Sequence, residues 1–422
     1  MIERILSALK KSGVELYQIT ETREESAELF FIRKSLDMQR MKEVREAQVV
    51  VYREFSEGEA RMLGSASVQL QESFTEEQMV DMLRGALYAA GFVKNKYYEL
   101  YAGGQEAPVA DNLPDTSPAE MARLYTEALY AEDTEEEVFL NSAEIFATKY
   151  TCHILNSRGV DVSYQKSRIQ GEFVIQCIDG QDVETYQDFA YDTLDTEALR
   201  KKVRDTLKMT KARAGAVSAP AAGTYRVIIS GPYVKEIFNY YMERSESAMI
   251  YPKYSTFQTG CNVQGEEVER DKINLTLKAR NPYSTEGIPM KDRELIRDGK
   301  LLMIHGSNRF AYYLGLEPTG SYNSCRAEAG ETSIEEMKNM PYLEIVNFSD
   351  FQMDSFTGHF GGEIRLAFWY DGEKTIPVTG GSINGNILEA QKKMIFSRET
   401  QAEEKFEGPV AVCLEGINVA GA

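Results

Sequence analysis

The chain has 422 residues, 43% hydrophobic and 10% aromatic, the make-up of a folded chain with room for two domains rather than of a disordered one. Asp plus Glu number 66 against 47 Lys plus Arg, and the resulting charge of −19 repels phosphate backbones and anionic membranes, which argues against both as partners. No apolar run approaches the roughly 18 residues of a membrane span.

The first helix, within Met1–Glu15, is amphipathic and carries charges through its apolar positions, unlike a signal peptide. Strands are expected over Glu28–Arg40 and Glu46–Glu57. Thr75-Glu-Glu-Gln78 is a capping box opening a helix to about Ala90, and Ser117-Pro118 opens another. Residues 137–192 read as successive antiparallel strands with turns at Ser157-Arg-Gly159 and Asp179-Gly180. A helix over Thr196–Arg213 follows. The small, uncharged stretch Ala214–Gly223 is the best linker. The expected domains are therefore 1–213 and 225–422, joined by 214–224. Beyond the linker come a strand at Tyr225–Ser230, a Gly231-Pro232 turn and a helix. Further strands are expected at Lys300–His305, Tyr342–Phe348, Glu363–Tyr370 and Lys374–Val378, the last two joined by a two-residue Asp371-Gly372 hairpin turn, and Ser333 caps a short helix. The fold expectation is α+β: a mixed helix and antiparallel-sheet domain followed by a domain built on a large, mostly antiparallel sheet.

The helix after Pro232 has an apolar stripe at Val234, Ile237, Phe238, Tyr241 and Met242. Its other positions include Asn239, Tyr240 and Arg244, a poor metal set: amides bind metal weakly and a guanidinium repels it. His153, His305 and His359 stand apart in sequence. His359 is flanked by Gly358 and Gly361, which suits close backbone approach, so these three are candidate groove residues. The five cysteines, at 152, 177, 261, 325 and 413, contain no CxxC pair and read as buried thiols in a reducing, cytoplasmic compartment. Gly380–Gly385 has phosphate-loop spacing, but Asn386 and Ile387 replace the Lys and Ser/Thr that chemistry needs.

Several segments in fixed order resemble the TldD/PmbA family (PmbA is also called TldE), known as modulators of DNA gyrase or peptide-maturation proteases. They are Tyr283–Lys300, Tyr312–Gly320, Trp369–Val378, Gly385–Leu388 and Ile417–Ala422. Active TldD-type members are similar to zinc metallopeptidases, with His-Glu-x-x-x-His and a late cysteine. Carried over, the first histidine falls on Asn239, the glutamate on Tyr240 and the second histidine on Arg244; the cysteine would fall near Thr400–Glu404, where this chain has none. The resemblance implies a PmbA-type subunit with no catalytic or metal-binding residues of its own, its zinc held by a TldD-like partner, acting on extended peptides. Two rival readings stay open: a peptide-binding or regulatory homodimer, and a peptidase with relocated residues drawn from His305 and His359.

Overall fold

The computed structural model describes residues 1–104, 106, 109–110 and 115–421. Helix α1 (Ile2–Ser12) leads into strands β1 (Leu16–Ile32), β2 (Ser35–Glu57) and β3 (Ala60–Gln71), then α2 (Glu76–Ala90). After β4 (Val109–Ala110) and α3 (Pro118–Tyr130) come β5 (Val138–Asn156), β6 (Asp161–Cys177), β7 (Val183–Tyr191) and α4 (Thr196–Ala214). These strands make one sheet in the order β3-β2-β1-β5-β6, with β4 and β7 also pairing with β6. Both capping signals act as expected: Thr75 and Gln78 bond each other's backbone N–H, and the Ser117 hydroxyl accepts the Glu120 N–H. Helices α1 and α2 bury Leu9, Leu83 and Met79 against Val49, Val51 and Leu70; α3 covers Ile145 and Phe173 through Tyr125 and Leu129.

The expected strand Glu28–Arg40 is wrong in one respect, because the chain reverses inside it. Arg33 takes φ 55° at the turn between β1 and β2, and Glu28 faces Arg40 across the hairpin. Residues 33–44 are exposed on both faces, so no apolar alternation marks the strand; instead Arg40 and Lys42 both reach the buried Glu28 carboxylate.

The second half begins with β8 (Val217–Ser218) and β9 (Gly223–Ser230), then α5 (Val234–Arg244) and the short α6 (Ser247–Ile250). A six-stranded sheet holds β10 (Leu275–Leu277), β11 (Arg293–Arg297), β12 (Lys300–Leu301), β13 (Cys325–Ala327), β19 (Thr400–Glu403) and β20 (Phe406–Pro409). Between them lie α7 (Asn308–Leu314), α8 (Ile334–Met337), β14 (Tyr342–Met353), β15 (His359–Tyr370), β16 (Thr375–Thr379), β17 (Ser382–Asn386), α9 (Ile387–Ala390) and β18 (Ile395–Phe396); β21 (Ala411–Ala420) follows β20. The larger sheet closes on itself. β14 pairs with β9, β9 with β21, β21 with β17, β17 with β15, and β15 again with β14. The ring is mostly antiparallel, β14 and β9 running parallel. The core of this half joins Val227 and Ile229 of β9 to Phe238, Phe396 and Phe406. The architecture is α+β.

Two local expectations need correction. Only Lys300–Leu301 of the Lys300–His305 segment pairs as a strand, because the chain then leaves the sheet to bring His305 beside the backbone of Ser245 and Ser247. The β15–β16 turn spans 371–374 rather than two residues: Tyr370 pairs with Thr375, and the Asp371 carboxylate accepts the N–H groups of Glu373 and Lys374. The uncharged 214–223 stretch is partly ordered by pairing, β8 running beside β16.

A charge network joins the two halves. Arg280 reaches Asp192 at 2.7 Å and Glu404 at 2.8 Å; Lys166 also holds Asp192, and Arg168 also holds Glu404. Burial raises both carboxylates' pKa values, but bonds to these cations outweigh it and leave them below the usual range.

Candidate functional site

Gly231, at φ 74°, turns the chain from β9 into α5; its N–H donates to Val410 and its carbonyl accepts the Gln401 amide at 2.8 Å. The apolar stripe then packs inward, with Phe238 against Phe396 and Phe406 at 5.2 and 5.3 Å between ring centres. Tyr241 is fully buried and donates to Gln391 at 2.9 Å, and burial pushes its pKa well up.

The three motif positions lie on this helix in chemically distinct settings. Asn239 is half-buried and its amide makes only a long 3.5 Å contact to Glu236. Tyr240 is 1% exposed, and burial raises its pKa despite the opposing charge of Arg244, so it stands as a neutral phenol. Arg244 is 7% exposed. Its Nη1 donates to the carbonyls of Ser355 at 3.0 Å and Phe356 at 3.3 Å, and its guanidinium lies over the rings of Phe257 and Tyr240 at 5.2 and 5.6 Å. Carbonyl dipoles and ring faces thus stabilise a cation that has no carboxylate within ion-pair distance among the described residues. A divalent metal does not fit this donor set: a fixed positive charge fills the place of one ligand, and the others are a neutral phenol and an amide.

Arg244 also ties α5 to the loop that carries His359. In that loop the Asp354 carboxylate accepts from the Phe356 N–H and the Thr357 hydroxyl, and Ser355 donates to Glu243. Gly358 has φ 76°, and a Cβ there would meet Ile387 and Asn386 at 3.0 and 3.1 Å; one at Gly361 would lie 2.9 Å from the Ile383 carbonyl. Close strand approach demands both glycines. His359 opens β15 with its side chain exposed, on the rim of a shallow depression it shares with Asp350, Asp354 and Glu363. The other histidines lie elsewhere. His153 meets Asp161 at 2.6 Å across β5 and β6, while His305 is 2% exposed beside the end of α5, where Nε2 meets the Met242 carbonyl at 2.9 Å. Among the described residues no three His, Cys, Asp or Glu side chains converge as a metal site.

Residues Thr400–Glu403 form β19, and Glu403 and Glu404 pair with Lys202 and with Arg168 and Arg280. Cys413 is buried in β21, and burial pushes its thiol up to about 11.

A feature the sequence reading missed lies at the N-terminal end of α5. A cleft of about 810 Å³ opens between the two halves, bounded by β7, Arg213 at the end of α4, Tyr233 and Lys235, residues 347–351 of β14, and Arg365 of β15. No periodic pattern or motif links segments so distant in sequence.

With this geometry in hand, residues 222–421 match the family described as PmbA/TldA metallopeptidase C-terminal domain. Residues 222–421 thus belong to the TldD/PmbA family. Structures similar over almost the whole chain extend the likeness beyond that domain. TldE from Thermococcus kodakarensis is 17% identical, with 99% of this chain and 100% of that one covered and a TM-score of 0.77. Two proteins described as candidate modulators of DNA gyrase match at the same TM-score of 0.77. The one from Thermotoga maritima is 18% identical, covering 99% of each chain; the one from Bacteroides thetaiotaomicron is 14% identical, covering 100% of this chain and 98% of that one. At these identities the structural likeness speaks for the fold alone. A search of curated proteins returns no match. Among the described residues, no helix is long and apolar enough to cross a membrane.

Proposed function

We propose that this chain is the TldE-like, non-catalytic subunit of a TldD/PmbA-type zinc peptidase of the cytoplasm, and that a TldD-like partner supplies the metal and the catalytic residues. The observation that carries this reading is Arg244. The position that would hold a zinc-binding imidazole instead holds a buried guanidinium, and that cation bonds two carbonyls and so braces the α5 helix against the His359 loop. The position of the general base holds Tyr240, a buried phenol without a proton-accepting carboxylate. In the assembly this chain shapes the peptide path and supports the partner's site, with extended peptides as substrate.

The test is reconstitution. The purified chain is expected to hydrolyse no peptide and to retain no stoichiometric zinc, whereas mixing with a TldD-like chain that has an intact His-Glu-x-x-x-His should yield a stable complex that cleaves unfolded peptides. Unaided hydrolysis by the isolated chain would overturn the reading. A complex that forms no more readily than a homodimer, and cleaves nothing, would favour the peptide-binding homodimer instead.

A further inference from the structure

Among the described residues strand β7 pairs with β6 alone, so its other edge is open along the cleft between the two halves. Arg213 Nη1 donates to the Glu184 carbonyl, which therefore points away from β6; strand alternation then directs the backbone groups of Tyr186 and Asp188 the same way. Two arginines stand at the Glu184 end, one from each half of the molecule. Neither Arg213 nor Arg365 is in an ion pair among the described residues: their polar contacts are the Glu184 carbonyl and the Ser349 hydroxyl, at 3.1 Å for the latter. They are close enough for like-charge repulsion to depress the Arg213 pKa, behind burial as the larger cause. Several cleft carboxylates have contacts of their own: Asn141 donates to Glu184, Gln176 donates to Asp182, and Lys235 lies 3.8 Å from Glu236, while Asp350 adjoins Ser349. Asp188 stands near Tyr233, toward the far end of the exposed edge. The cleft thus holds Arg213 and Arg365 among carboxylates, Asp350 included, that form no ion pair with them, with the rings of Tyr233, Phe348 and Phe351 beside it.

We infer that this cleft binds a short extended peptide added to the β7 edge, with its C-terminal carboxylate held between Arg213 and Arg365. The inference rests on the peptide-handling role proposed above and specifies which end of the peptide this subunit holds. Each part has a physical reason. An open edge offers N–H and C=O groups at alternate residues, which any sequence can pair with. Two neighbouring guanidiniums, neither in an ion pair among the described residues, are suited to one carboxylate, since Arg recognises carboxylates through paired N–H donors. The cavity volume lies within the range of roughly 300–1,000 Å³ usual for ligand sites.

Fluorescence anisotropy of the full chain with an N-terminally labelled pentapeptide of alternating Thr and Val tests it. The free-acid peptide should bind at least tenfold more tightly than the C-terminal amide. Arg365→Gln should erase most of that difference while leaving the amide's affinity and the thermal midpoint unchanged, and Arg213→Gln should do the same if the chain remains folded. Equal binding of acid and amide, or no binding of either, would overturn the inference. Because the isolated chain is measured, failure here leaves the reconstitution result untouched. Conversely, acid-selective binding with no partner-dependent cleavage would uphold the cleft and sink the subunit reading.

Discussion

Arg244 and the Arg213–Arg365 pair put the same side chain to opposite uses. Arg244 is buried, donates through Nη1 to backbone carbonyls and lies over two aromatic rings. Arg213 and Arg365 keep guanidinium donors facing a cleft and form no ion pair among the described residues. Residue type alone therefore says little; what separates a structural cation from a recognition cation is whether its remaining donors are buried or face a cleft.

That contrast can be broken by substitution. Arg244→Ala should be the most damaging change, costing about 3–5 kcal/mol in urea unfolding, because it removes a buried charge and strands the carbonyls of Ser355 and Phe356. A loss below about 1 kcal/mol would mean that the site is loosely held. Arg280→Ala tests an intermediate case, a half-buried cation paired with carboxylates. About 2 kcal/mol is expected, with a shallower loss of stability in acid. The sign follows from Asp192 and Glu404: their folded pKa values are lowered, so their stabilisation is present above the usual carboxylate pKa and fades as pH falls through the folded values.

His305 should produce a slope rather than a step. Burial lowers its pKa, so the fold prefers neutral imidazole; stability should be full above the ordinary pKa of about 6.5 and fall as pH drops below it. Thermal midpoints of the native chain and His305→Gln across pH 5 to 7 check this, the variant showing the flatter profile. The smallest effect is reserved for Arg365→Gln, within about 0.5 kcal/mol of the native chain by urea titration, since its side chain is exposed. A larger loss would move Arg365 to the structural side of the comparison.

Much of the fold could be read from local chemistry. Capping by Thr75, Ser117 and Ser333, the apolar stripe of α5 and the glycine turns are short-range signals, and each placed an element within a residue or two. The β1–β2 hairpin was misread because its tip has water on both faces, so side-chain alternation carries no burial there. At the candidate site, the sequence marked Asn239, Tyr240 and Arg244 as unsuited to metal but not what Arg244 does instead, which depends on a loop more than a hundred positions away. The cleft arginines were invisible for the same reason: one ends a helix of the first half and the other lies in a strand of the second.

The ring of strands has a consequence for how this chain is made. Its seam is β21, which lies between β9 and β17, so residues 411–420 fill a slot whose walls have already been synthesised. At the 5–20 residues per second typical of translation, β9 waits on the order of ten seconds or more for that neighbour. During the wait its bare flank is a place where a chaperone could act, or where two nascent chains could cross-pair.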